Sequence, residues 1–113
     1  MCTRQTAFEI INEMSERIRN LFPEGKIDVI LYGSYARHEE TDESDIDILY
    51  LVDVSREAIS SMSWQIGEAA AELIMEYGVV VSPVVENKEY FNNNADILPF
   101  FAIIQREGVK LSV

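Results

Sequence analysis

The run Leu31-Tyr32-Gly33-Ser34-Tyr35-Ala36-Arg37, then a polar loop, then Ser44-Asp45-Ile46-Asp47-Ile48-Leu49, decides how this chain is read. Side chains of a strand alternate between its faces, so residues two apart point the same way. Asp45 and Asp47 therefore share a face with Leu49 and Leu51, while Ile46, Ile48, Tyr50 and Val52 take the other. Two neighbouring carboxylates repel each other unless a cation lies between them. Mg²⁺ prefers oxygen ligands, keeps several waters, and is held by one or two carboxylates plus substrate phosphates. With two metals, one ion would activate the attacking oxygen and the other would stabilise the leaving oxygen. Taken alone, an Asp-x-Asp is better read as a solvated strand end or a turn cap.

Gly33 and Ser34 shift that balance. Gly33 has no Cβ, so the backbone can turn sharply or approach a phosphate closely. Ser34 stands where a short helical turn, Ser34 to Arg37, is expected to begin. Its hydroxyl and the N–H groups there suit an anion. The alternative is an ordinary strand-ending turn, common for a lone Gly-Ser. Phosphate donors one strand away from paired carboxylates make a more specific signal than either part.

Outward from this centre, Phe8, Ile10, Ile11, Met14, Ile18, Leu21 and Phe22 recur at helical spacing over Thr6–Phe22. Thr6 with Glu9 reads as a capping box, and Pro23 and Gly25 end the helix. Lys26–Tyr32 and Asp45–Val52 read as strands. Ser55 is expected to cap one long helix to Tyr77, stopped by Gly78. Val79–Val85 reads as a third strand, where Pro83 implies an edge or a bulge. Asn92, Asn93 and Asn94 suggest a loop. Leu98–Glu107 reads as a short helix with Pro99 in its first turn, and Val109–Val113 as a last strand. The expected architecture is a single α+β domain over residues 1–113, a mixed sheet with helices packed mainly on one face.

The chain has 113 residues and a net charge of −11, from 20 acidic and 9 basic side chains. Non-specific nucleic-acid binding neutralises phosphates with Lys and Arg, so no long nucleic-acid partner is expected. A basic protein partner suits the charge better, although the charge can also serve solubility alone. Apolar residues make up 48% of the chain, enough for one modest core. A second half of an active site would then come from a partner or another copy. The one cysteine, Cys2, cannot form an intramolecular disulfide. No apolar run suggests a membrane span and no signal peptide is visible, so a cytoplasmic location is expected.

The combined pattern resembles the DNA polymerase β-like nucleotidyltransferase superfamily, most closely its minimal (MNT-type) domains encoded beside HEPN-domain proteins. That family shows Gly-Ser, a small or aromatic residue, Ala-Arg, a short acidic loop, and Ser-Asp-x-Asp before apolar residues. Here these are Gly33-Ser34-Tyr35-Ala36-Arg37, His38 to Glu43, and Ser44-Asp45-Ile46-Asp47-Ile48-Leu49. The resemblance implies the small polymerase β-like palm fold. It implies that Asp45 and Asp47 are the catalytic metal ligands for Mg²⁺ or Mn²⁺. It also implies that Gly33 and Ser34 hold the phosphates of ATP or another nucleoside triphosphate. Arg37 would contact phosphate or pair with Glu39, Asp42 or Glu43. Ser44 belongs to the nucleotide-binding set, or acts as a turn residue that orients Asp45.

The match departs in two places. His38 stands where the family often has Gly, and it reads as an exposed loop residue rather than a base. Active members typically add a third carboxylate from a later strand. In Val79–Val85, Ser82 occupies that position, and Glu86 shares its face farther along. Trp64, Tyr77, Tyr90, Phe91, Phe100 and Phe101 read as core before base-stacking groups. Tyr32 and Tyr35, nearer the motif, are better candidates for stacking.

The resemblance implies transfer of AMP from ATP to an acceptor hydroxyl, on a HEPN-domain partner in a toxin-antitoxin pair. One alternative is an antitoxin-like binding module with weak or no catalysis, favoured by the absent third acid. Another is modification of a small molecule such as an antibiotic, which usually requires a further domain. Both faces of the Asp45–Val52 strand carry apolar residues; the C-terminal segment Leu98–Val113 would cover part of the Leu49 and Leu51 face, and a partner chain or a homo-oligomer is expected to bury the remaining surface near the active site.

Overall fold

The computed structural model describes residues 3–113; the Cys2 reading falls outside them. Helix α1 (Arg4–Leu21) leads into strands β1 (Ile27–Tyr32) and β2 (Ile46–Val52). Helices α2 (Arg56–Ser61) and α3 (Ser63–Tyr77) connect to β3 (Val81–Asn87). Helices α4 (Lys88–Asn94) and α5 (Pro99–Glu107) precede β4 (Val109–Leu111). The sheet order is β3-β2-β1-β4. β1 runs antiparallel to β2 and to β4, whereas β2 and β3 are parallel. Parallel neighbours need a long crossover, which α2 and α3 provide. The expected mixed α+β architecture is therefore found, with Pro83 on an edge strand, where its missing N–H breaks no ladder.

Alternation along β2 divides the core. Ile46, Ile48, Tyr50 and Val52 face α1 and α3, where they meet Ile10, Ile11, Met14, Ile18 and Leu73. Each fully buried aliphatic side chain contributes about 1.5–3 kcal/mol. The Tyr50 hydroxyl is buried with them and is satisfied by the Ser15 hydroxyl at 3.0 Å. On the other face, Leu49 and Leu51 are covered by Phe91, Phe101 and Ile104 from α4 and α5. Helix α5 lies in the segment expected to give partial cover; with α4 it makes that cover nearly complete, so the expected need for a partner over Leu49 and Leu51 is corrected. Only 0% and 4% of these leucines stays exposed.

Several local expectations also change. The first helix starts at Arg4, not Thr6. Thr3 is its cap, and the Thr3 hydroxyl accepts from the Thr6 N–H at 3.1 Å. The single helix expected over Ser55–Tyr77 is broken at Met62 (φ −102°, ψ 8°). Serines explain the break: Ser61 Oγ donates to the Ala58 carbonyl and Ser63 Oγ to the Ser60 carbonyl, competing with backbone bonding. Ser55 does cap α2, and Gly78 ends α3 in the left-handed region. The third strand lies two residues later than expected, at Val81–Asn87. Asn92–Asn94 are helical, because Asn87 accepts from the Tyr90 N–H and starts α4. Among the described residues, no helix is long and apolar enough to cross a membrane.

Candidate active site

β1 delivers the chain to Gly33, whose φ of +76° turns it away from the sheet. A tight turn follows, in which the Ala36 and Arg37 N–H groups both donate to the Gly33 carbonyl and the Glu39 N–H donates to the Ser34 carbonyl. Tyr35 anchors this turn in the core and is 2% exposed, which removes it as a base-stacking candidate. His38 is exposed and closes the turn at φ +58°, a left-handed position where glycine is least strained. That geometry explains why glycine suits the place His38 occupies.

The turn returns the chain to β2 through Thr41–Ser44. There the Ser44 hydroxyl accepts from the Thr41 N–H at 2.8 Å. Ser44 thus shapes the turn that leads into Asp45. Asp45 is exposed and Asp47 half-buried. The Asp47 carboxyl is held above the usual carboxylate range, first by burial and then by the Asp45 charge, with Arg37 opposing. Asp45 therefore lies within electrostatic reach of Asp47; Asp47 shares a face of β2 with Leu49, whereas Asp45 precedes the strand, which begins at Ile46 rather than at Asp45 as expected.

Strand register sets the neighbours of Asp47. Tyr32 of β1 lies across from it on one side and Ser82 of β3 on the other. Burial and the Asp47 charge push the Tyr32 hydroxyl up to about 12. Tyr32 packs edge-on against Phe100 of α5, with ring centroids 5.6 Å apart. Gly33 is closer still: a Cβ there would stand 2.3 Å from Asp47 Oδ2. The absent side chain leaves the room that this carboxylate occupies.

Arg37 pairs with Glu39 and with Glu107 of α5, each at 3.4 Å, rather than with Asp42 or Glu43. Glu86 lies roughly 13 Å along β3 from Ser82, at about 3.3 Å per residue. Both its carboxylate oxygens face Arg56, at 3.2 and 3.3 Å. It therefore does not act as a third acid beside Asp47. Among the described residues, no three His, Cys, Asp or Glu side chains gather to hold a metal. The donor set is the Asp47 carboxylate of β2 and the Asp45 carboxylate just before that strand. Such a pair fits Mg²⁺, which fills its remaining positions with water and substrate phosphate. A cation there would stabilise the charged form of Asp47, which burial and the Asp45 charge disfavour.

Of the other aromatic residues, Phe91 and Phe101 are core, as expected. Trp64 is 72% exposed and sits on α3, whose buried face packs against the opposite side of the sheet from Asp47. Sequence reading missed Arg4 and Glu40. They form an ion pair at 2.8 Å behind the Gly33 turn, and no local spacing signals a contact between residues so far apart.

The family model of the nucleotidyltransferase domain matches residues 11–104. Two relatives from Methanocaldococcus jannaschii, each named "putative protein adenylyltransferase", align with the chain. One is 36% identical over 84 residues, covering 74% of this chain and 73% of that protein. The other is 32% identical over 80 residues, covering 71% and 79%. A solved structure described as "Crystal structure of the toxin-antitoxin with AMP-PNP" shares the fold. Its TM-score is 0.55 at 21% identity, over 89% of this chain and 71% of that one. Because the family match spans the Gly33 turn, both aspartates and the sheet that brings them together, this chain belongs to the nucleotidyltransferase domain family.

Proposed function

We propose that residues 1–113 act as one domain that transfers AMP from ATP, with Mg²⁺ or Mn²⁺, onto a hydroxyl of a partner protein. The reading includes a HEPN-domain partner in a toxin-antitoxin pair, and ATP as donor fits a cytoplasmic setting. One observation carries it: the Cβ-free Gly33 turn packs against Asp47 of β2, and Asp45, one residue before that strand, places its charge near Asp47. The names of the relatives support a protein acceptor, and the nucleotide in the related fold supports ATP.

In this reading Asp45 and Asp47 hold the metal, which would neutralise the triphosphate and polarise the α-phosphoryl group. The Ser34 hydroxyl holds phosphate, and Gly33 lets the backbone approach. Arg37 adds positive charge beside Asp47, and Ser44 orients Asp45. The acceptor oxygen bonds to the α-phosphorus as the bond to the β-phosphate's bridging oxygen breaks, and pyrophosphate leaves. The acceptor proton passes to solvent, since Ser82 offers no carboxylate to take it.

That same serine favours a second reading, in which the domain binds its partner and catalyses weakly or not at all. Mixing the protein with the product of the adjacent gene, labelled ATP and Mg²⁺ separates the two. Label on the partner, lost in Asp45→Asn plus Asp47→Asn, supports the transferase. A stable unlabelled complex supports the binding module. Neither label nor complex rejects both.

A further inference from the structure

Arg4 and Glu40 meet behind the Gly33 turn. Arg4 opens α1, and its Nη1 donates to Glu40 Oε2 at 2.8 Å and to the Tyr35 carbonyl at 3.3 Å. One nitrogen therefore ties the start of the helix to both ends of segment 35–40. This segment carries Arg37 and directly follows Ser34. It is joined to Ser34 again through the Glu39 N–H, which donates to the Ser34 carbonyl at 2.9 Å. The second Glu40 oxygen, Oε1, is closed off from solvent without a hydrogen-bond partner among the described residues. The pair as a whole is part-exposed, at 38% for Arg4 and 19% for Glu40, and a carboxylate in this setting gains from a charge-assisted hydrogen bond to a cation. Arg4 supplies that cation, and its hydrogen bond is the main cause holding the Glu40 carboxyl below the usual range.

We propose that Arg4 is a positioning residue of the active site. Through Glu40 and the Tyr35 carbonyl it fixes the turn that presents Ser34 and Arg37 beside Asp47. Arg4 touches no substrate in this arrangement. The inference rests on reading the Gly33–Ser34 turn as the phosphate site. Connecting loops open more easily than core elements, and a displacement of about 1 Å can lower a rate on the order of 100-fold. The pairs that Arg37 makes with Glu39 and Glu107 are longer and more exposed, so they are poor substitutes. Lysine presents a point charge rather than a planar fork and would replace Arg4 only in part.

The test compares wild type, Arg4→Ala, Arg4→Lys and Glu40→Gln by amide hydrogen exchange, unfolding midpoint, and Mg²⁺–ATP affinity. Arg4→Ala and Glu40→Gln should speed exchange over residues 34–40, the Glu39 amide above all, while β1 and β2 keep their protection. ATP affinity should fall on the order of ten-fold, and Arg4→Lys should recover part of it. Unchanged exchange over 34–40 overturns the inference. A lower unfolding midpoint with unchanged ATP affinity does so too, because the role would then be structural only. If Arg4→Ala fails to fold, Glu40→Gln, which keeps the shape of the side chain, gives the same decision. A wild type that ignores ATP while exchange responds refutes the phosphate reading itself, and this role for Arg4 with it.

Discussion

Replacing Gly33 by alanine tests the geometry of the site at its tightest point. The residue has φ +76°, and an alanine there pays the left-handed penalty of about 1–2 kcal/mol. The new methyl would also stand 2.3 Å from Asp47 Oδ2 and 3.2 Å from its Cγ. Asp47 must then leave its rotamer, at about 0.5–1.5 kcal/mol. Gly33→Ala should therefore destabilise the protein by roughly 1.5–3.5 kcal/mol. Gly78 supplies the control. It has φ +70° with nothing within 4 Å of an added Cβ, so Gly78→Ala should show the backbone penalty alone. Urea unfolding of both variants reads the difference. In an Asp47→Ala background the clash is gone, and Gly33→Ala should cost no more than Gly78→Ala. Displacing the Asp47 carboxylate by about 1 Å should also lower transfer on the order of 100-fold. Equal costs for the two glycine variants, with no relief from Asp47→Ala, would refute the close packing of Gly33 on Asp47.

Three further outcomes are expected. Ser34→Ala should weaken nucleotide binding by about 1.5–3 kcal/mol, one hydrogen bond to a charged group, with an unchanged unfolding midpoint; calorimetry with ATP and Mg²⁺ decides, and a loss of stability without loss of affinity would make Ser34 a turn residue only. Ser82→Asp places a carboxylate directly across from Asp47 and should raise transfer on the order of ten-fold or more if proton removal limits it; a rate no higher than wild type, measured with labelled ATP, removes Ser82 as the position of the absent acid. Asp28 is held below the usual carboxylate range first by the hydrogen bond from Lys88, with Lys110 adding to it. Its folded value is depressed, so its stabilising contribution is present above the ordinary aspartate value and is lost as pH falls through the folded one. These lysines are about half exposed or more, so Asp28→Asn should lower stability by only about 0.2–1 kcal/mol at neutral pH, and unfolding curves of the two proteins should converge in acid.

The periodicity of the sequence was enough for the two faces of β2. Alternation is a local property of extended backbone, so Asp47, Leu49 and Leu51 on one side and Ile46, Ile48, Tyr50 and Val52 on the other follow without tertiary information. The same holds for the Ser55 cap, the stop at Gly78 and the edge position implied by Pro83, each a consequence of one residue's own chemistry. The family could be read from Gly33-Ser34 and Asp45-Ile46-Asp47 because their order and spacing are written along the chain. Other features were hidden because they depend on competition or distance. The Met62 break turns on whether serine hydroxyls or backbone N–H groups win the carbonyls. The helical state of Asn92–Asn94 turns on Asn87 capping α4 and on Phe91 finding a place against Phe101. What covers Leu49 and Leu51 was decided by α4 and α5 folding back over the sheet, since a strand pattern shows that a face must be buried but not by what. Pairing decided the rest of the site. Only the register of β1 and β3 against β2 sets Tyr32 and Ser82 on either side of Asp47, and only the approach of α1 brings Arg4 to Glu40. Such contacts join residues tens of positions apart, where the local pattern holds no information about which side chains will meet.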